Sequence, residues 1–106
     1  MPKYLIQASY TAEGSKGLAR DGGSKRRTVV EEMIKRSGGT MEAFYFAFGE
    51  TDVYVLCDIP DIASAAAISL AVNASGAVHL RTTPLVSVDE MDQAAKKQVA
   101  YRAPGA

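Results

Sequence analysis

The segments Thr40–Phe48 (TMEAFYFAF) and Val53–Ile59 (VYVLCDI) constrain the fold more than any other part of the chain. Both have the β-branched and aromatic content of strands, and only Gly49-Glu50-Thr51-Asp52 joins them. Strands with so short a connection pair antiparallel. The hairpin is also apolar on both sides. Strand alternation turns Phe44, Phe46 and Phe48 one way and Met41, Ala43, Tyr45 and Ala47 the other, while Val53, Val55 and Cys57 oppose Tyr54, Leu56 and Asp58. A sheet buried on one face alternates apolar with polar residues. This one asks for cover on both faces.

The flanking segments supply one cover. Lys3–Tyr10 alternates as a strand, with Tyr4, Ile6, Ala8 and Tyr10 on one side. Thr11–Gly23 holds Gly14, Gly17, Gly22 and Gly23, too many for a stable helix interior, and predicts at most a short helical turn. Ser24 is placed to cap the next helix, whose stripe is Val29, Val30, Met33 and Ile34, and Gly38-Gly39 stops it. Asp61 caps an alanine-rich helix, Ile62–Ser75, which Gly76 closes. Val78–Val88 reads as a last strand containing Pro84. Ser87 or Asp89 caps a final helix through about Val99.

The order strand, helix, strand, strand, helix, strand predicts a ferredoxin-like βαββαβ arrangement: an α+β fold with a four-stranded antiparallel sheet and an added C-terminal helix. Right-handed crossovers put both main helices on one face. The other face is left bare, so a second copy is the expected cover: a homo-oligomer, most simply a dimer. The uncharged helix 62–75 is a second candidate contact. Residues 1–99 form the expected domain and 100–106 a frayed tail.

Composition removes several function classes. With 106 residues and one cysteine, the chain has no internal disulfide framework and no Cys-rich zinc site. No apolar run approaches 18 residues, and the start lacks a signal-peptide core, so a cytoplasmic protein without a membrane span is expected. Twelve basic and twelve acidic residues cancel, but unevenly. Residues 1–41 are net basic and residues 42–92 net acidic, which suits contact between copies. The basic excess is modest and carries no interleaved aromatics, which disfavours nucleic acid as a partner.

The opening PKYLIQASYT with Glu13-Gly14, then Gly38-Gly39 before MEAFYFAFGETD, IPD before the Ala-rich helix, and the strand VHLRTTPLVSV together resemble the GYD domain family. The resemblance runs from about Pro2 to about Ala95. It implies the dimeric α/β-barrel variety of ferredoxin-like fold, hence oligomerisation, and no tightly bound cofactor. In this chain the eponymous turn is GETD, with Thr51 where the family has tyrosine.

Candidate chemistry is sparse. His79 is the sole histidine and shares a strand face with Arg81, two residues on. Its ordinary pKa lies near neutrality, and the guanidinium can grip a carboxylate in a bidentate pair. Tyr10 and Tyr45 are the candidate walls of a ligand site, and Asp52 a carboxylate at its rim. Cys57 reads as a buried, inert thiol. No residue spacing matches a protein-only metal site. Two functions follow: a small-molecule site, binding or catalytic, between sheet and helices or between subunits; or a non-catalytic assembly or regulatory module whose polar residues are structural.

Overall fold

The computed structural model describes residues 1–106. Its elements are β1 (Lys3–Tyr10), α1 (Ala12–Asp21), α2 (Gly23–Arg36), β2 (Thr40–Phe46), β3 (Val53–Asp58), α3 (Ile62–Ala74), β4 (Val78–Leu85) and α4 (Val88–Lys96). One sheet holds all four strands in the order β2-β3-β1-β4, with every neighbouring pair antiparallel. This is the ferredoxin-like α+β order, with α4 appended.

Burial follows the strand alternation. Tyr4, Ile6, Ala8, Val53, Val55, Cys57 and Val78 are buried beneath α2 and α3, which contribute Val30, Ile34, Ala65 and Ile68. Asp61 caps α3 by accepting the Ser64 amide at 2.7 Å, and Ser87 caps α4 reciprocally with Glu90. Hydrogen bonds to those amides hold both carboxyls below their ordinary pKa. On the β4 edge, Asn73 of α3 accepts the Leu80 amide at 2.7 Å and donates to its carbonyl at 3.4 Å. An outward backbone pair is thereby tied down rather than offered to another strand.

Three sequence expectations are corrected. Residues 12–21 form a ten-residue helix, not a turn. Thr11 caps it, donating its amide to the Ala77 carbonyl at 3.0 Å and its hydroxyl to the Gly76 and Ala77 carbonyls. Gly14 is required there, because a Cβ would lie 2.1 Å from the Ala77 oxygen. Docking therefore outweighs the poor helix propensity. Second, Ser24 does not cap α2: the helix begins at Gly23, and Gly22, at φ +83°, is the sole residue between α1 and α2. Third, a bulge between Met41 and Ala43 shifts the register of β2. Met41 joins Phe44 and Phe46 on the helix side, opposite Cys57, Val55 and Val53, and Phe48 falls beyond the strand, fully exposed.

The molecule is elongated. Its radius of gyration is 16.8 Å, against about 13 Å for a compact chain of this length. Every residue from Val86 to Ala106 is exposed, Val88, Met91, Val99 and Tyr101 included. The C-terminal helix thus extends from the body as an arm. No helix is long and apolar enough to cross a membrane.

Candidate functional site

Register decides which side chains share a surface. Gln7 of β1 stands opposite Tyr54 of β3 on one side and Arg81 of β4 on the other, and Tyr54 stands opposite Tyr45 of β2. The row Arg81–Gln7–Tyr54–Tyr45 therefore crosses all four strands on the face away from the helices. At about 4.8 Å per strand it is roughly 14 Å long. Tyr45 is 70% exposed and Tyr54 38%. The next row places His79 opposite Ser9, and the row on the other side places Leu5 between Thr83 and Leu56, with Ala43 beyond. At the far corner Lys3 pairs with Glu42 and, at 3.1 Å, with Asp58. Those hydrogen bonds, Glu42 first, hold the Lys3 amine above its ordinary pKa.

Three of the five candidates thus meet on one face: His79, Arg81 and Tyr45. Arg81 makes no ion pair within the chain. Gln7 and Tyr54 complete their row and went unrecognised as site residues. Their only signal in the sequence is a central place in the first and third strands. The Ser9 hydroxyl, across from His79, donates to the Glu50 carbonyl. His79 accordingly faces neither a carboxylate nor a free nucleophile across the pair, which suits holding a ligand better than turning one over.

Tyr10 and Asp52 lie elsewhere. Tyr10 is on the helix side, where it lines a cavity of about 190 Å³ between α1 and α2. The Asp52 carboxylate accepts the Tyr10 amide at 2.8 Å, and its own amide donates to Ala8 at 2.8 Å. Ala47 in turn donates to the Asp52 carbonyl at 2.8 Å. Together with Thr51, the one buried polar residue, Asp52 locks the GETD turn onto the end of β1. Replacing Asp52 by alanine leaves the Tyr10 amide unpaired, a loss of about 1–2 kcal/mol. Thermal denaturation should show Asp52→Ala melting roughly 5–10 °C lower, with Asp52→Asn, which keeps an acceptor, closer to the parent. Equal melting of all three would refute the locking role.

Cys57 has no solvent exposure, and burial foremost, then the neighbouring Asp58, pushes its thiol up to about 11. A neutral thiol is a poor nucleophile. Ellman's reagent at pH 8 should leave the native protein unmodified over hours and titrate one thiol within minutes in denaturant. The raised value also means that the native state holds the proton more tightly than the unfolded one between about pH 9 and pH 11. Stability contributed by the neutral thiol is complete below that window and falls as pH rises through it.

No three His, Cys, Asp or Glu side chains converge to hold a metal ion. No curated protein and no solved structure matches the chain. The GYD domain model matches residues 4–95, nearly all of the folded body described above. The chain belongs to the GYD domain family.

Proposed function

We propose that the chain works as a homo-oligomer in which a second copy covers the open sheet face and a small-molecule ligand is held between the copies, over Arg81, Gln7, Tyr54 and Tyr45. One observation carries this reading. The face opposite the helices has no cover within the chain, yet it combines Leu5, Ala43, Leu56 and two tyrosines with an unpaired guanidinium and the only imidazole. Apolar residues there favour burial; Arg81 and His79 give the buried space a polar end. Four strands of about six residues span roughly 20 × 20 Å. Two such corrugated surfaces supply on the order of 1,000 Å², the lower bound for a specific interface. The uncharged α3, with Ile62 71% and Leu70 73% exposed, offers a further contact for a larger assembly.

Light scattering at micromolar concentration tests the assembly; a stable 11.3 kDa monomer would defeat it. A thermal-shift screen against metabolites tests the ligand, because a compound that binds only the native state raises the melting temperature. A ligand held on this face should lose its shift in Arg81→Gln. That shift should also weaken in His79→Gln, with the oligomer intact.

A further inference from the structure

We propose that the cavity between α1 and α2 is a second binding site, separate from the sheet face, and that it takes a small aliphatic carboxylate. Three independent features of the cavity point the same way. The first is Arg26, which lines it: Nε is buried without a hydrogen-bond partner, and the side chain forms no ion pair. Asp21, which also lines the cavity, pairs instead with Arg20 at 3.4 Å and Lys25 at 3.8 Å. Nε itself lies out of reach of solvent, so what Arg26 can offer an anion in the cavity is its terminal nitrogens, which pair with no carboxylate of the chain.

The second feature is Gly17. It sits inside α1, where glycine is the worst residue after proline. Gly14 is explained by its close approach to Ala77, but a Cβ at Gly17 would meet no atom within 4 Å. Gly17 lines the cavity, so what its missing side chain contributes is room.

The third is the start of α2. Gly22 offers no side chain to the first-turn amides, no acidic residue occupies that turn, and Lys25, Arg26 and Arg27 follow directly. Cations at the positive end of a helix are unfavourable. Of these three, Asp21, the residue before Gly22, pairs with Lys25 alone, and an anion in the cavity that Lys25 and Arg26 line offsets the remaining charge.

The remaining walls select the body of the ligand. Tyr10, Leu18 and Val29 make them largely apolar, and about 190 Å³ holds roughly six non-hydrogen atoms at the volume of a water each. A carboxylate head on Arg26 with a branched chain of three or four carbons over Gly17 fits. Glu13, the other acid at the cavity, is exposed, and solvent screens its repulsion.

The test is a titration of the full chain with 3-methylbutanoate, followed by amide chemical shifts and by melting temperature, with 3-methylbutanamide as the uncharged control. The expected result is a saturable shift of the Gly17, Leu18, Arg26 and Val29 amides and a rise in melting temperature that the amide control does not give. Arg26→Gln and Gly17→Val, each checked for native circular dichroism, should abolish both effects, and Arg81→Gln should retain them. No response from the parent protein at tens of millimolar overturns the proposal. So does an equal response to the amide control, or shifts that cluster at His79 and Arg81. That last pattern would move the ligand to the sheet face and leave the dimer-site reading standing.

Discussion

Gly14→Ala should lower the melting temperature by roughly 10 °C, whereas Gly17→Ala, three residues along the same helix, should raise it by a few degrees. Intrinsic propensity favours alanine over glycine by about 1 kcal/mol at both sites. Space separates them. At Gly14 the new Cβ would stand 2.1 Å from the Ala77 oxygen and 3.1 Å from Tyr10 Cδ1. The Ala77 oxygen is backbone and already accepts the Thr11 amide and hydroxyl, so it cannot retreat without breaking the bonds that seat α1. Forced overpacking of this kind costs about 1–3 kcal/mol beyond the propensity gain, and a domain of this size loses roughly 4–8 °C per kcal/mol. At Gly17 the Cβ meets nothing, and the propensity gain stands alone. Gly39, whose Cβ would lie 2.2 Å from the Asp58 oxygen, should follow Gly14. Differential scanning calorimetry reads all three. Stabilisation by Gly14→Ala would mean that α1 does not dock as described.

The same glycines mark the boundary of what the chain shows on its face. Caps and stops are local chemistry, so Asp61, Gly38 and Gly76 are legible as helix ends and are found in that place. Of Ser87 and Asp89 the last helix uses Ser87, while Ser24 fails as a cap because α2 already starts at Gly23. The hairpin is legible for the same reason: its strands are β-branched and aromatic and a short segment joins them, although the connection runs over six residues, 47–52, rather than four. Helix α1 is not, because what holds it is the carbonyl of Ala77, more than sixty residues away, and propensity alone argues against it. The bulge at Glu42, whose carboxylate meets Lys3, has no local signal either. Candidate sites suffer more, since a row across four strands exists only once register is known. His79 and Arg81 share a strand and are visible as a pair, while Gln7 and Tyr54 become their neighbours only through pairing. Arg26 hides differently. Within the Lys25–Arg27 run it reads as a solvated charge, and its one sequence signal is the sign of that run at the start of a helix, opposite to what the dipole prefers.

Placing a carboxylate in the middle of the open sheet face, Tyr54→Glu, should turn the oligomer into a monomer while leaving the fold intact. In the isolated chain Tyr54 is 38% exposed, flanked by Gln7 and Tyr45 rather than by an acid, so glutamate there stays hydrated and costs the domain little. In a face-to-face pair the same residue lies beneath another sheet. A twofold interface presents every residue twice, so one substitution buries two carboxylates. Within each sheet the nearest free cation, Arg81, stands two strands away across Gln7, roughly 10 Å off. Each unpaired buried charge costs several kcal/mol, and a micromolar dimer holds only about 8 kcal/mol in total. The desolvation cost therefore exceeds what the interface can supply. Leu70→Glu on the outer face of α3 is the control, since a carboxylate there leaves the sheet untouched. Sedimentation velocity at micromolar concentration should show Tyr54→Glu alone at the mass of one chain, with native circular dichroism in both variants. Dissociation by Leu70→Glu and not by Tyr54→Glu would transfer the interface to α3, and with it remove the enclosed space in which Arg81 and His79 are proposed to hold a ligand.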